Sequence, residues 1–283
     1  MSTYRTIDVN GSEIFYREAG DPAAPALLLL HGFPSSSAQY EQLMRKLAGD
    51  LHVIAPDYPG FGRSPSLGGT TTFERIADVT DAFTDAVGLQ RFSLYMFDFG
   101  APVGFRIALR GPERVQRLIL QNGNAYEAGL GPGMQALVPY WRDRDKHEAA
   151  VRGFLSVEAT RSQYVDGVPE PDRVNPDLWE LDQRYLDMEG RDRVMLDLLY
   201  DYQSNVAAYP QWHEYLRTSR PPALLPWGAN DTFFPPAGAE AYLTDLPEAQ
   251  IHLLDTGHFV TATHSGEIAE MIVAFMAEEK GAA

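Results

Sequence analysis

The sequence predicts an α/β protein: a twisted, mostly parallel sheet of eight strands with helices on both faces and a helical insert after the sixth strand. Three observations carry this expectation. Short continuous apolar runs such as "ALLLL" and "LHVIAP" suit central strands covered on both faces. Amphipathic stretches of helical spacing stand between them, and strand–helix alternation imposes parallel pairing. The alternation stops at Asn124 and returns near Pro221, so one domain is interrupted by an insert.

Taken in order, Thr3–Gly20 alternates around Asn10-Gly11 as a tight β-hairpin. Ala26–Leu30 is the third strand, and Ser37–Asp50 has helical spacing with a polar face. Leu51–Pro56 is the fourth strand, ended by the Pro/Gly loop "DYPGFG". Thr72 caps a helix whose Ile76, Val79 and Phe83 share one face. Arg91–Phe97 is the fifth strand, Gly100–Arg110 a helix and Gln116–Asn122 the sixth strand. "GLGPG" at Gly129–Gly133 reads as a linker, and residues 134–219 read as helices rich in Tyr, Trp and charge. Pro221–Trp227 resumes the sheet, Pro236–Pro247 is helical, Ala249–Leu254 is the last strand and Ser265–Lys280 the last helix. The division is a core of residues 1–127 and 220–283 and a helical cap of residues 128–219.

Composition excludes several classes. Lys and Arg total 23 against 39 Asp and Glu, a formal charge of −16, which argues against nucleic acid or an anionic membrane as partner. There is no cysteine, so disulfides, thiolate zinc sites and cysteine nucleophiles are excluded. The start of the chain has no basic-then-apolar signal pattern, and no apolar run approaches the ~20 residues of a membrane span, so a cytoplasmic protein is expected. His, Asp and Glu are not grouped at ligand spacing, so no metal and no cofactor is expected.

In an open parallel sheet, ligands gather beyond the carboxyl ends of the strands. The residues that follow the strands are therefore the candidates. They are His31-Gly32-Phe33-Pro34, Asp98, Asn122, Asp231 in "WGAND" and His258 in "DTGH". A nucleophile, an acid and a histidine in that chain order are the α/β-hydrolase arrangement. The motifs "HGFP", "DYPGFGRS", "FDFGAPVG", "GANDTFF" and "DTGHF" span nearly the whole chain. In combination they resemble the epoxide hydrolase and haloalkane dehalogenase branch of the α/β-hydrolase superfamily, in which aspartate replaces the serine of the nucleophile elbow. Met96 stands where the usual elbow carries glycine, and no serine lies in a G-x-S-x-G frame. Asn122 occupies the position that bears the acid in some relatives; an amide supplies no charge, so the acid falls to Asp231.

The resemblance implies a two-step chemistry. An aspartate is ionised at neutral pH, with a reference pKa of ≈ 3.9, and can attack a saturated carbon directly. The alkyl ester on Asp98 is then hydrolysed by water activated by His258, which Asp231 orients. Backbone N–H groups of Phe33 and Phe99 are the expected oxyanion donors. Plainer readings compete. Asp98 could be a helix N-cap and Asp231 an Asx-turn residue. Asp255 rivals Asp231; His252 and His264 read as structural, and His31 as a support for the oxyanion loop.

The leaving group separates the readings. The dehalogenase pattern draws halide N–H donors from positions that here are Phe99 and Phe33, whose rings donate nothing. Fluoroacetate dehalogenases hold a carboxylate with arginines after the nucleophile, where this chain has Phe99, Gly100 and Ala101. An epoxide leaves a tethered alkoxide that needs an acid, and epoxide hydrolases use lid tyrosines. The insert holds Tyr140, Tyr164, Tyr185, Tyr200, Tyr202 and Tyr209. Tyr202 in "DYQSN", then Tyr140 in "VPYWRD", best resemble the lid acids. His31, Pro34, Trp141 and Phe259 are expected to border the substrate pocket, and Trp179 and Trp212 to line or support the lid. The expected partners are a small neutral organic substrate and water, with a monomer or homodimer as the assembly. A dehalogenase with an atypical halide site, an esterase or lyase, and a non-catalytic binder are the alternatives.

Overall fold

The strands of the computed structural model, which describes residues 2–278, pair into one eight-stranded sheet. They are β1 (Thr3–Val9), β2 (Ser12–Ala19), β3 (Ala26–Leu30), β4 (His52–Pro56), β5 (Phe92–Phe97), β6 (Val115–Gln121), β7 (Ala223–Gly228) and β8 (Gln250–Leu254). The spatial order is β1-β2-β4-β3-β5-β6-β7-β8. Pairings of β2 with β1 and β4 are antiparallel, and all others are parallel. The β1–β2 hairpin turns at Asn10 and Gly11, both at positive φ (53° and 83°), which suits a turn whose twist matches the strands.

Every residue of β4, β5 and β7 is buried, which is why these strands read as largely apolar runs. Successive side chains still alternate between faces. Leu28 and Leu30 join one core with Ile76, Phe83 and Phe105, while Leu27 and Leu29 join the other with Leu43, Ile268 and Ile272. The first core lies under α2 (Phe73–Ala86) and α3 (Gly100–Arg110); the second lies under α1 (Glu41–Leu47) and a C-terminal helix, Val260–Ala277. Thr72 caps α2, its Oγ1 accepting from the Arg75 N–H at 3.2 Å.

Between β6 and β7 the regular structure is all helical. It comprises α4 (Pro132–Gln135), α5 (Val138–Arg142), α6 (Arg144–Val151), α7 (Val157–Val165), α8 (Pro176–Leu186) and α9 (Arg191–Ser219), with short 3₁₀ turns. The stretch "GLGPG" is not a linker. A Cβ on Gly129 would strike Asn124 Oδ1, one on Gly131 the Thr232 carbonyl, and one on Gly133 the Phe233 ring. The glycines permit close packing against the loop after β7, and the Gly131 N–H donates to the Phe233 carbonyl at 2.8 Å. After β7 come α10 (Pro236–Ala241) and α11 (Val260–Ala277); α11 is interrupted by non-helical backbone at His264. Met1, and Glu279 and Lys280 of the expected last helix, lie outside the described residues. Among the described residues no helix is long and apolar enough to cross a membrane.

Candidate active site

The site begins at the sharp bend between β5 and α3. Asp98 has φ of +50°, a left-handed conformation that costs a non-glycine residue roughly 1–2 kcal/mol and so needs support from its surroundings. Two glycines let α3 approach. A Cβ on Gly100 would collide with the Leu30 carbonyl, and one on Gly104 with Met96 Sδ. Met96 is thus tolerated in place of the usual elbow glycine because Gly104 leaves it the space. Asp98 is not a side-chain cap of α3: the residue at the cap position is Phe99, which makes no such bond.

The Asp98 carboxylate instead faces the loop after β3. Its Oδ1 accepts from the Phe33 N–H at 2.5 Å, and the Phe99 N–H donates to the same carboxylate. A Cβ on Gly32 would lie 2.5 Å from that Oδ1, so only glycine fits there. His31 holds this loop from behind. Burial depresses its pKa to about 3, so the ring is neutral. Its Nε2 accepts from the Tyr58 N–H at 3.1 Å, and Nδ1 lies 3.1 Å from the Gly32 carbonyl as donor.

His258 follows β8 and lies between two carboxylates. Its Nδ1 is 2.7 Å from Asp231 Oδ2, and its Nε2 is 3.7 Å from Asp98 Oδ2. Burial alone would lower the imidazole pKa; Asp231, and to a lesser degree Asp98, overcome it and hold the ring above its ordinary value. Burial lifts the Asp98 carboxyl to about 6, against the opposing pull of His258 and the two N–H donors. Asp231 is fixed by the Phe233 N–H at 2.7 Å and by Asn122 Nδ2 at 2.7 Å. Asn122 has φ of +44°, and its amide is oriented by the Gly228 N–H, which donates to Oδ1 at 2.9 Å. The residue that could not be the acid therefore braces it, a role that sequence reasoning missed. Asp255 is taken up elsewhere, accepting from Asn230 Nδ2 at 2.9 Å on the surface. His252 is exposed on the edge strand β8.

The insert covers this group. Tyr202 of α9 is buried, with its ring against Phe99 (6.1 Å), Phe73 (5.9 Å), Trp141 (6.1 Å, stacked) and Phe234 (6.4 Å). Burial, the neighbouring Tyr209 and the charge of Asp98 all raise its pKa well above the usual phenol range. Tyr140 is not brought to the same place. Its hydroxyl donates to the Leu196 carbonyl at 3.2 Å, and its ring packs edge-on against Tyr200. The Trp141 indole N–H is likewise spent, on the Leu199 carbonyl at 2.8 Å. Phe259 stacks on Tyr164 at 3.8 Å and meets Phe97 edge-on, so it packs in the second core, apart from the Phe99–Tyr202 cluster in the first. His31 is wholly enclosed, and Pro34 is buried beside it.

Asp98, Asp231 and His258 are only 6%, 5% and 3% exposed, so the group is shielded from bulk water. A cleft of about 800 Å³ lined by Arg117, Arg220, Asp245 and Phe275 touches none of the three. Among the described residues no cluster of His, Asp or Glu could hold a metal ion.

Residues 25–265 match a family model described as the alpha/beta hydrolase fold, and the chain belongs to that family. It is 40% identical over 279 residues, 95% of each chain, to the uncharacterized hydrolase YNR064C of Saccharomyces cerevisiae. Over 120 residues, 41% of this chain and 40% of the relative, it is 35% identical to a haloalkane dehalogenase of Mycolicibacterium paratuberculosis. The haloalkane dehalogenase DbeA from Bradyrhizobium elkani superposes with a TM-score of 0.74 over 98% of each chain at 23% identity, a likeness of fold.

Proposed function

We propose that the protein is a hydrolase that opens a small to medium apolar epoxide to a diol through an alkyl ester on Asp98. The observation that carries this reading is a carboxylate gripped by two backbone N–H groups and facing an imidazole that a second carboxylate braces. In the first step Asp98 Oδ2 attacks an epoxide carbon and the C–O bond breaks. Tyr202 gives its proton to the alkoxide oxygen that leaves. In the second step His258 takes a proton from water, and the hydroxide adds to the ester carbonyl. The N–H groups of Phe33 and Phe99 then stabilise the oxyanion, a contribution worth roughly 10²–10³ in rate per donor. Collapse of the adduct releases the diol and restores Asp98, and the proton on His258 returns Tyr202 to its neutral form. The helical insert of residues 128–219 acts as the lid that excludes water from the first step.

Epoxide is favoured over halide by the side chains around Asp98. Phe33 and Phe99 present rings where halide donors would stand, Trp141 has its N–H engaged, and Tyr202 offers a hydroxyl. The partial match to a haloalkane dehalogenase keeps halide displacement as the second reading, with the same Asp98 ester. Single turnover in ¹⁸O-water tests the shared step: label enters the Asp98 carboxylate and not the diol. Label in the first-turnover diol would mean direct attack by water and would sink the covalent route. Halide release from haloalkanes, with no diol from epoxides, would transfer the assignment to the second reading.

A further inference from the structure

We propose that Asn230 and Gly167 are positioning residues through which the insert clamps the loops bearing Asp231 and His258, and that this clamp sets the rate of ester hydrolysis. The inference deepens the Asp98-ester mechanism proposed above and rests on it.

Asp231 and His258 stand on two neighbouring loops, after β7 and β8. The loops are zipped together by their backbones. The Ala229 N–H donates to the Leu254 carbonyl at 2.9 Å and the Asn230 N–H to the Thr256 carbonyl at 3.0 Å. The turn that follows α7 then closes over the pair from the insert. Asn230 Nδ2 donates to the Gly167 carbonyl of that turn at 2.8 Å and to Asp255 Oδ1 at 2.9 Å. One amide thus joins the insert to both loops.

Backbone packing makes the same junction. Gly167 has φ of +78°, a left-handed conformation that glycine adopts freely. A Cβ there would lie 2.6 Å from the Asn230 carbonyl oxygen and 3.1 Å from Gly257 Cα. Gly167 is therefore wedged between the residues that precede Asp231 and His258. Gly257 is gripped from two sides. A Cβ on it would strike the Asp166 carbonyl, and a Cβ on Gly228 would strike the Gly257 carbonyl. The peptide before His258 thus lies between the end of β7 and the turn after α7. On the other side of His258, Phe259 is covered by Tyr164 of α7, with the rings stacked at 3.8 Å. The Tyr164 hydroxyl donates to Asp182 of α8 at 2.5 Å, which ties this cover to the rest of the insert.

The chemistry gives the clamp its purpose. In ester hydrolysis His258 must keep Nδ1 on Asp231 while Nε2 takes a proton from a water aimed at the ester carbonyl. That demands a fixed relation between two loops, and a displacement of about 1 Å can cost 10²-fold in rate. Ester formation, as proposed, uses Asp98 and Tyr202, which stand on neither loop and not on α7. The clamp therefore acts on the second step and spares the first. Asn230 itself is exposed, so its side chain can be removed without opening the core.

The test follows the Asp98 ester by rapid quench and intact mass, with styrene oxide and, in parallel, 1-chlorohexane. The proteins are the parent, Asn230→Ala, Gly167→Ala and the double variant. Asn230→Ala should slow ester decay about 10-fold, leave ester formation within about twofold and let the ester accumulate in the steady state. Gly167→Ala, whose Cβ pushes the turn off both loops, should do the same. The double variant should lose less than the product of the two effects, because both act through one contact. A merely structural role would lower the amount of active enzyme, and so the amount of ester, with both rate constants unchanged. That result, or an equal fall in both rate constants, would overturn the clamp. So would an Asn230→Ala protein whose ester decays at the parent rate, and this variant decides alone if Gly167→Ala does not fold. If the parent forms its ester from 1-chlorohexane and not from styrene oxide, the epoxide reading fails and the decay of that ester decides the clamp. A parent that forms an ester from neither overturns both.

Discussion

His258 is held unequally by its two carboxylates, with Nδ1 2.7 Å from Asp231 Oδ2 and Nε2 3.7 Å from Asp98 Oδ2. The short contact fixes the ring; the long one leaves Nε2 free for a water. If His258 serves only the second step, its loss must not prevent the first. His258→Gln is therefore expected to accumulate an adduct on Asp98, visible as an epoxide-sized increase in intact mass. Asp231→Asn leaves the ring without a charged partner and should slow turnover by roughly 10³–10⁴ while still forming the adduct. A His258→Gln protein that never gains mass in the presence of epoxide would contradict the division of labour.

In the proposed mechanism Asp98 must be ionised to attack, and burial lifts its pKa to about 6. The rate of ester formation should therefore fall as pH drops below about 6, approaching tenfold per unit. The same shift acts on stability. A carboxyl whose folded pKa lies above its unfolded value favours the fold at low pH, and that advantage is lost as pH rises through the folded value. Asp98→Asn should consequently have a higher Tm than the parent above pH 6, with the gap closing towards pH 4. A gap that is constant across this range would mean that burial does not control this carboxyl.

The positions of Asp98, Asp231 and His258 were legible because each follows the carboxyl end of a strand, and those ends share one edge of a parallel sheet. Their partners were not, because contacts between distant loops leave no periodic trace. Asn122 looked like an acid lost, yet its amide donates to Asp231, and its positive φ suits an asparagine at that bend. Tyr202 and, more loosely, Tyr140 carry suggestive local sequences, but the insert turns the Tyr140 hydroxyl to the Leu196 carbonyl and the Tyr202 ring to Phe99. "GLGPG" reads as a linker by composition, whereas its glycines mark surfaces that touch. Nor does composition foresee α9 continuing through Pro210, since a proline inside a helix removes one backbone hydrogen bond.

Met96 at the elbow and Gly104 on α3 form a complementary pair, with Met96 Sδ in the space a Cβ on Gly104 would fill. Gly104→Ala should destabilise the protein by about 1–3 kcal/mol through overpacking, even though alanine is the better helix former. Met96→Ala opens a cavity and should cost about 2–5 kcal/mol alone. The double variant should be more stable than the sum of the two losses implies, because each change relieves the other. Urea unfolding of the four proteins measures this coupling, and strict additivity would mean that the two side chains do not compete for space.

Asp182 is a buried carboxylate outside the Asp98–His258–Asp231 group, and it joins the insert to the loop after β3. It accepts from the Tyr164 hydroxyl at 2.5 Å and interacts with Ser35, while Tyr164 stacks on Phe259 next to His258. Burial, reinforced by the charge of Asp57, lifts its pKa to about 7 against the two hydroxyl donors. Because the folded pKa exceeds the unfolded one, ionisation works against the fold, progressively from about pH 4 and in full above about pH 7. Asp182→Asn keeps an oxygen for Tyr164 but carries no charge. It should unfold at higher urea than the parent at pH 8 and lose most of that advantage at pH 4. An asparagine variant that is weaker at pH 8 would show that the charge on Asp182 strengthens this junction, and that Tyr164 and Ser35 outweigh its desolvation.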